Sequence, residues 1–121
     1  MARNNDIPII SSNKTVKEAI KVMNKKHLGI VLIKEKNGKI SIITDGDLRR
    51  HSNNLYQKTI SKISTKSPTW IAENETGLVA VKKMNSLRIT SLLVAKNKDL
   101  KKKKKNVLVG ILHLHHCLGI K

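Results

Sequence analysis

The sequence contains no phenylalanine, and only one tryptophan and one tyrosine among its 121 residues. A core for such a chain has to be aliphatic, built from Ile, Leu, Val and Met. The same scarcity argues against a single-strand nucleic-acid platform, because those platforms stack bases on aromatic rings. Cysteine occurs once, at Cys117, so no intrachain disulfide can form, which fits a reducing cytoplasm. Cys117 lies in a leucine-rich segment and reads as a small core residue rather than a nucleophile. No apolar run approaches the roughly 18 residues that span a bilayer, and Met1-Ala2-Arg3-Asn4-Asn5-Asp6 holds no apolar export core. A cytoplasmic location without a membrane partner is the expectation. Acidic residues are few, 8 against 25 Lys and Arg, giving a net charge of +17. That balance raises a basic nucleic-acid-binding module as one reading. Against it, five of the charges form the run Lys101 to Lys105 and the others are scattered.

What is present is an ordered pattern. Ile7-Pro8-Ile9-Ile10 is short and extended, and Pro8 keeps it at an edge or bend. Thr15 is placed to cap a helix, with Glu18 at capping-box spacing. Val16, Ala19, Ile20, Met23 and His27 recur at three- and four-residue steps, predicting one apolar helix face that ends at Leu28-Gly29. Ile30-Val31-Leu32-Ile33 reads as a strand covered on both faces. Asn37-Gly38 is a hairpin signal, and the return strand runs from Lys39 to Ile43. It delivers the chain to Thr44-Asp45-Gly46-Asp47-Leu48-Arg49-Arg50, a helix start with a capping hydroxyl and an acidic first turn. On residues alone, this stretch is either a well-capped surface helix or a strand-end ligand site. In the second case Thr44 touches phosphate or ribose and Asp47 accepts ribose hydroxyls.

The pattern then returns. Thr15, Ala19, Ile20, Met23, Leu28 and Ile30 map onto Thr76, Ala80, Val81, Met84, Ile89 and Ser91 at a constant offset of 61. After the third strand the offset becomes 69, so the second hairpin is eight residues longer, within Lys96 to Asn106. The lysine run therefore falls on a hairpin insertion, where a solvated loop tip is the simplest reading. His113-Leu114-His115-His116-Cys117-Leu118 opens the last helix. Each βαββα unit is too small to stand alone. The expectation is an α/β (α+β) chain of two repeats, residues 1–55 and 67–121 with a linker at 56–66, packed sheet to sheet about a pseudo-two-fold.

Paired βαββα units with Thr-x-x-Asp at the end of the third strand resemble a tandem pair of CBS (cystathionine β-synthase-type) domains, a Bateman module. Thr44-Asp45-Gly46-Asp47 carries the match, and Ser41 stands where the family has glycine. Ile43 to Arg50, Arg88-Ile89-Thr90-Ser91 and Leu108 to His115 are similar to the C-terminal CBS pair of bacterial arabinose-5-phosphate isomerases. In that family catalysis lies in a separate sugar isomerase (SIS) domain, and the product feeds lipopolysaccharide synthesis. The resemblance implies no catalytic residue in this chain, a regulatory role, and self-association as a homodimer or tetramer. It implies no required cofactor, but an adenine nucleotide or sugar nucleotide as regulatory ligand. Thr44, Asp47, Arg49 and Arg50 are its expected contacts, with Thr90, Ser91 and His113 as their weaker counterparts. A ligand-free oligomerisation module is the alternative. At the second site His113 stands for Thr44 and His116 for Asp47, and a neutral imidazole is a poorer partner for ribose than a carboxylate. His113, His116 and Cys117 also offer a three-ligand metal alternative.

Overall fold

A computed structural model describes residues 1–64 and 67–118, without the side chain of His115. The chain divides into two compact units: residues 8–67, and residues 68–121 together with the arm Met1–Ile7.

In the unit of residues 8–67, β1 (Ile9–Ser11) leads into α1 (Val16–Lys26), β2 (Ile30–Lys34), β3 (Ile40–Thr44) and α2 (Asp45–Arg50). The sheet order is β1-β2-β3, with β1 parallel and β3 antiparallel to β2. Val31, Leu32 and Ile33 on the central strand have no exposure at all, as a strand covered on both faces requires. Thr15 caps α1 by accepting the Glu18 N–H at 3.2 Å. Val16, Ala19 and Met23 on α1 are buried as their spacing predicts. His27 departs from that prediction: it is exposed and is the left-handed C-cap of α1 (φ 57°), with Gly29 (φ 67°) turning the chain into β2. In the hairpin only Gly38 has positive φ, 86°. Its N–H donates to the Glu35 carbonyl at 3.0 Å and the Glu35 N–H to Lys39 at 2.8 Å. This is the longer loop with a left-handed glycine at its end rather than the two-residue turn. Beyond α2, a four-residue helix α3 (Ile60–Ile63) drives Ile60 and Ile63 into the core formed by α1, β2 and β3.

The second unit repeats the design. Its elements are β4 (Trp70–Ala72), α4 (Gly77–Leu87), β5 (Ser91–Ala95), β6 (Gly110–His113) and α5 (Leu114–Cys117), with sheet order β4-β5-β6. Strand and helix starts follow the offset of 61 up to β5, and the end of β6 and the start of α5 follow 69. Thr76 caps α4, accepting the Val79 N–H at 3.2 Å. The core gathers Ile71, Ala80, Met84, Leu92 and Val94, with Cys117 half-buried against it. The N-terminal arm, like α3, lies outside the repeat. Ala2 exchanges two backbone hydrogen bonds of 2.9 Å with Ile111, so the N-terminal arm adds to the free side of β6. Gly110 makes room for it, because a Cβ there would sit 2.5 Å from the Ala2 carbonyl oxygen. Among the described residues no helix is long and apolar enough to cross a membrane.

Candidate functional site

Thr44 ends β3 in extended conformation and becomes the N-cap of α2. Its hydroxyl accepts the Asp47 N–H at 3.1 Å, and its own N–H donates to Asp47 Oδ2 at 2.8 Å. This reciprocal capping box satisfies two backbone donors that a helix start otherwise leaves orphaned. Asp47 is only 3% exposed. Burying a carboxylate is costly unless charge and donors meet it. Here they do: the helix start favours negative charge, and the Arg50 guanidinium ion-pairs with Asp47 Oδ1. Arg50 is itself 58% exposed, lying over the carboxylate from the solvent side. Arg49 and Asp45 are exposed. Thr44, Asp47 and Arg50 are thus brought together, and Arg49 follows them on the same short helix. Ser41, at the family's glycine position, donates to Glu35 Oε1 at 3.0 Å and lies 2.6 Å from Ser64 Oγ. Ser64 in turn donates to the Ile42 carbonyl, tying the segment after α3 to β3.

The second repeat builds the same corner from different side chains. The strand register sets Ser91 opposite His113, as Ile30 is opposite Thr44. The Leu114 N–H donates to the Thr90 carbonyl at 2.8 Å, just as Asp45 does to Gly29 at 3.1 Å. Half of the capping box survives, since the His113 N–H donates to His116 Nδ1 at 3.1 Å. Thr90 is exposed. Ser91 Oγ is buried and has no hydrogen-bond partner among the described residues. The His113 and His116 rings meet edge to face, 6.1 Å apart. Among the described residues no three His, Cys, Asp or Glu side chains are grouped as a metal ion needs. The trio His113, His116 and Cys117 is therefore not assembled, because Cys117 turns toward the core instead. The side chain of His115 lies outside the described residues.

A third place went unread in the sequence. Pro68, Thr69, Trp70, Lys83, Leu100, Lys101 and Lys103 line a cleft of about 380 Å³ in the second unit. Three of these seven residues, Leu100, Lys101 and Lys103, come from the lengthened hairpin, whose path no periodicity encodes.

Comparison with known proteins agrees with this geometry. A family model for the CBS domain matches residues 1–54. The arabinose 5-phosphate isomerase KdsD of Francisella tularensis is 36% identical over 124 residues, which is 99% of this chain and 36% of that protein. The chain spans about a third of the length of the curated relatives it matches, and the matched part is their CBS region. Among solved structures, the AMP complex of CBSX2 is 18% identical with a TM-score of 0.78, covering 98% of this chain and 90% of that one. The CBS domain pair of MJ0100, in complex with 5′-methylthioadenosine and S-adenosyl-L-methionine, is 24% identical with a TM-score of 0.74, covering 97% and 88%. Residues 1–54 match the CBS domain, both units take the fold of the solved CBS pairs, and the sequence resembles the CBS region of the arabinose 5-phosphate isomerases.

Proposed function

We propose that the chain is the ligand-sensing pair of a sugar-phosphate isomerase and takes an adenosine-type nucleotide at Thr44 and Asp47. The observation that carries this reading is the buried Asp47 carboxylate with the exposed Arg50 laid over it. A ribose brings two hydroxyl donors, which suit a carboxylate acceptor at a strand end. Its phosphate offers Arg50 and Arg49 a stronger, charge-assisted partner. Ligand entry then exchanges the Arg50–Asp47 pair for ribose–Asp47 and phosphate–Arg50 contacts. Thr44 keeps the helix start in place through its capping box with Asp47. The two solved neighbours described above hold adenosine compounds, which favours adenosine over a sugar nucleotide. In the second repeat Thr90, Ser91 and His113 occupy the matching place, but His116 lacks the anionic acceptor that Asp47 provides.

The effect of occupancy is carried by α2, whose ion pair is exchanged on binding, to a SIS catalytic domain in a longer parent and to self-association of the CBS pair. Isothermal titration of AMP, ATP, S-adenosylmethionine and UDP-glucose tests the reading on wild type and on Asp47→Asn, with folding checked by circular dichroism. An adenosine ligand should bind, and Asp47→Asn should weaken it at least about tenfold, the equivalent of ~1.4 kcal/mol. Silence from all four ligands, or equal binding by Asp47→Asn, overturns it.

A further inference from the structure

The lengthened hairpin of the second repeat keeps Lys101 to Lys104 exposed, as a solvated tip does, but it also folds back on itself. After β5 it makes a single 3₁₀ turn at Asn97–Asp99, and Lys102 pairs with Asp99 at 3.1 Å. Lys103 then adopts the left-handed region (φ 53°), which turns the chain sharply. These two features return the loop so that Leu100, Lys101 and Lys103 form one wall of a cleft. Pro68, Thr69 and Trp70 form another, at the side of β4 away from β5. Lys83 on α4 joins them, its ammonium donating to the Trp70 carbonyl at 3.3 Å. That contact also blunts an unpaired strand edge.

Three lysines thus line one cleft. The loop's single carboxylate, Asp99, is already taken by Lys102. Among the described residues no ion pair reaches Lys83, Lys101 or Lys103. Like charges gathered at one place repel, and an anion seated between them removes that repulsion. The volume of about 380 Å³ falls in the range of small-molecule sites. The remaining walls, Pro68, Trp70 and Leu100, suit the carbon skeleton of a small metabolite. Lysine ammonium groups are compact point charges and common phosphate partners.

We infer that this cleft binds a small phosphate-bearing metabolite, its phosphate between Lys83, Lys101 and Lys103 and its skeleton against Trp70. The inference does not rest on the nucleotide reading. It concerns the other unit, a different set of residues and a different recognition chemistry, so either can fail alone.

Trp70 is the only tryptophan, so intrinsic fluorescence reports on this cleft directly. The full chain is titrated at constant ionic strength with inorganic pyrophosphate, with glucose 6-phosphate, and with glucose as the uncharged control. A short DNA duplex is titrated separately. The expected result is a saturable change with a phosphate probe and none with glucose. Glucose 6-phosphate tighter than pyrophosphate places the skeleton on Trp70; the reverse order overturns that half of the proposal. The double variant Lys101→Ser, Lys103→Asn keeps a residue that tolerates the left-handed turn and should weaken the phosphate response at least about tenfold. Equal titration by that variant, or a response to neither phosphate probe, overturns the site. A response to DNA alone also overturns it and makes the loop a nucleic-acid contact.

Discussion

The backbone N–H of His113 donates to Nδ1 of His116 at 3.1 Å, the same relation that the N–H of Thr44 bears to Oδ2 of Asp47 at 2.8 Å. One repeat makes its helix start with a buried carboxylate, the other with an imidazole. The two corners share strand register and the hydrogen bond from the first helical residue, and they differ in charge. His116→Asp returns the anionic acceptor to the second repeat. At a helix N-terminus that change is worth about 0.3–1 kcal/mol. Urea denaturation followed by circular dichroism should place His116→Asp above wild type by that amount, and His116→Ala below it. A fall in stability for His116→Asp would mean that α5 does not behave as a helix start.

Asp47 should matter most to the stability of the first repeat's corner. Asp47→Ala removes the partner of the Thr44 N–H and leaves Arg50 without its carboxylate. Loss of a cap costs about 1 kcal/mol. The ion pair adds little of its own, because Arg50 is 58% exposed and water screens that partner. A total of about 1.5–2.5 kcal/mol is expected by urea denaturation. Thr44→Ala should cost about 1 kcal/mol, since only the hydroxyl is lost. Near-equal losses for the two variants would contradict the burial that sets Asp47 apart.

Gly110→Ala tests the arm. The new Cβ falls 2.5 Å from the backbone oxygen of Ala2, and backbone cannot give way as a flexible side chain does. The arm should lift, breaking both hydrogen bonds between Ala2 and Ile111. Each is worth about 0.5–1.5 kcal/mol. Hydrogen exchange by NMR should show the Ile111 amide exchanging much faster, while Leu92 and Val94 in the same sheet stay protected. An unchanged Ile111 amide would show that the arm is not what shields it.

These features were not equally legible in the sequence. The repeat, its change of offset and the caps at Thr15, Thr44 and Thr76 were readable, because caps and central strands leave local, short-range marks. The burial of Val31, Leu32 and Ile33 followed from their unbroken apolar run. The arm was not readable: a single two-residue bridge has no period, and Gly110 is explained only by a neighbour more than a hundred positions away. Ile60 and Ile63 sit on a helix too short to show periodicity, so their place in the core was invisible. His27 fitted the apolar spacing of α1 and yet became its left-handed cap, as helix ends fray beyond the pattern that predicts them. At the candidate site, Thr44 and Asp47 were legible as a motif. That Arg50 covers the carboxylate depends on side-chain reach, which spacing alone does not fix. The lysine run was legible as charge, but the turn that folds Lys103 back toward Trp70 was not.

Ser91→Ala is the last test, and its sign is the point. Ser91 Oγ is buried and has no partner among the described residues, so the unliganded protein bears the cost of desolvating a hydroxyl without a hydrogen bond in return. Removing it should stabilise the protein or leave it unchanged, within about +0.5 to +1 kcal/mol, against the general tendency of buried substitutions to destabilise. The side chain becomes smaller by one oxygen, so the cavity left behind is slight. A control is Met84→Ala in the same unit: Met84 has no exposure, and its truncation should cost about 2–5 kcal/mol. If Ser91→Ala instead destabilises by more than about 1 kcal/mol, the hydroxyl has a partner in solution. The serine opposite His113 would then be part of the second corner's polar network rather than an orphan within it.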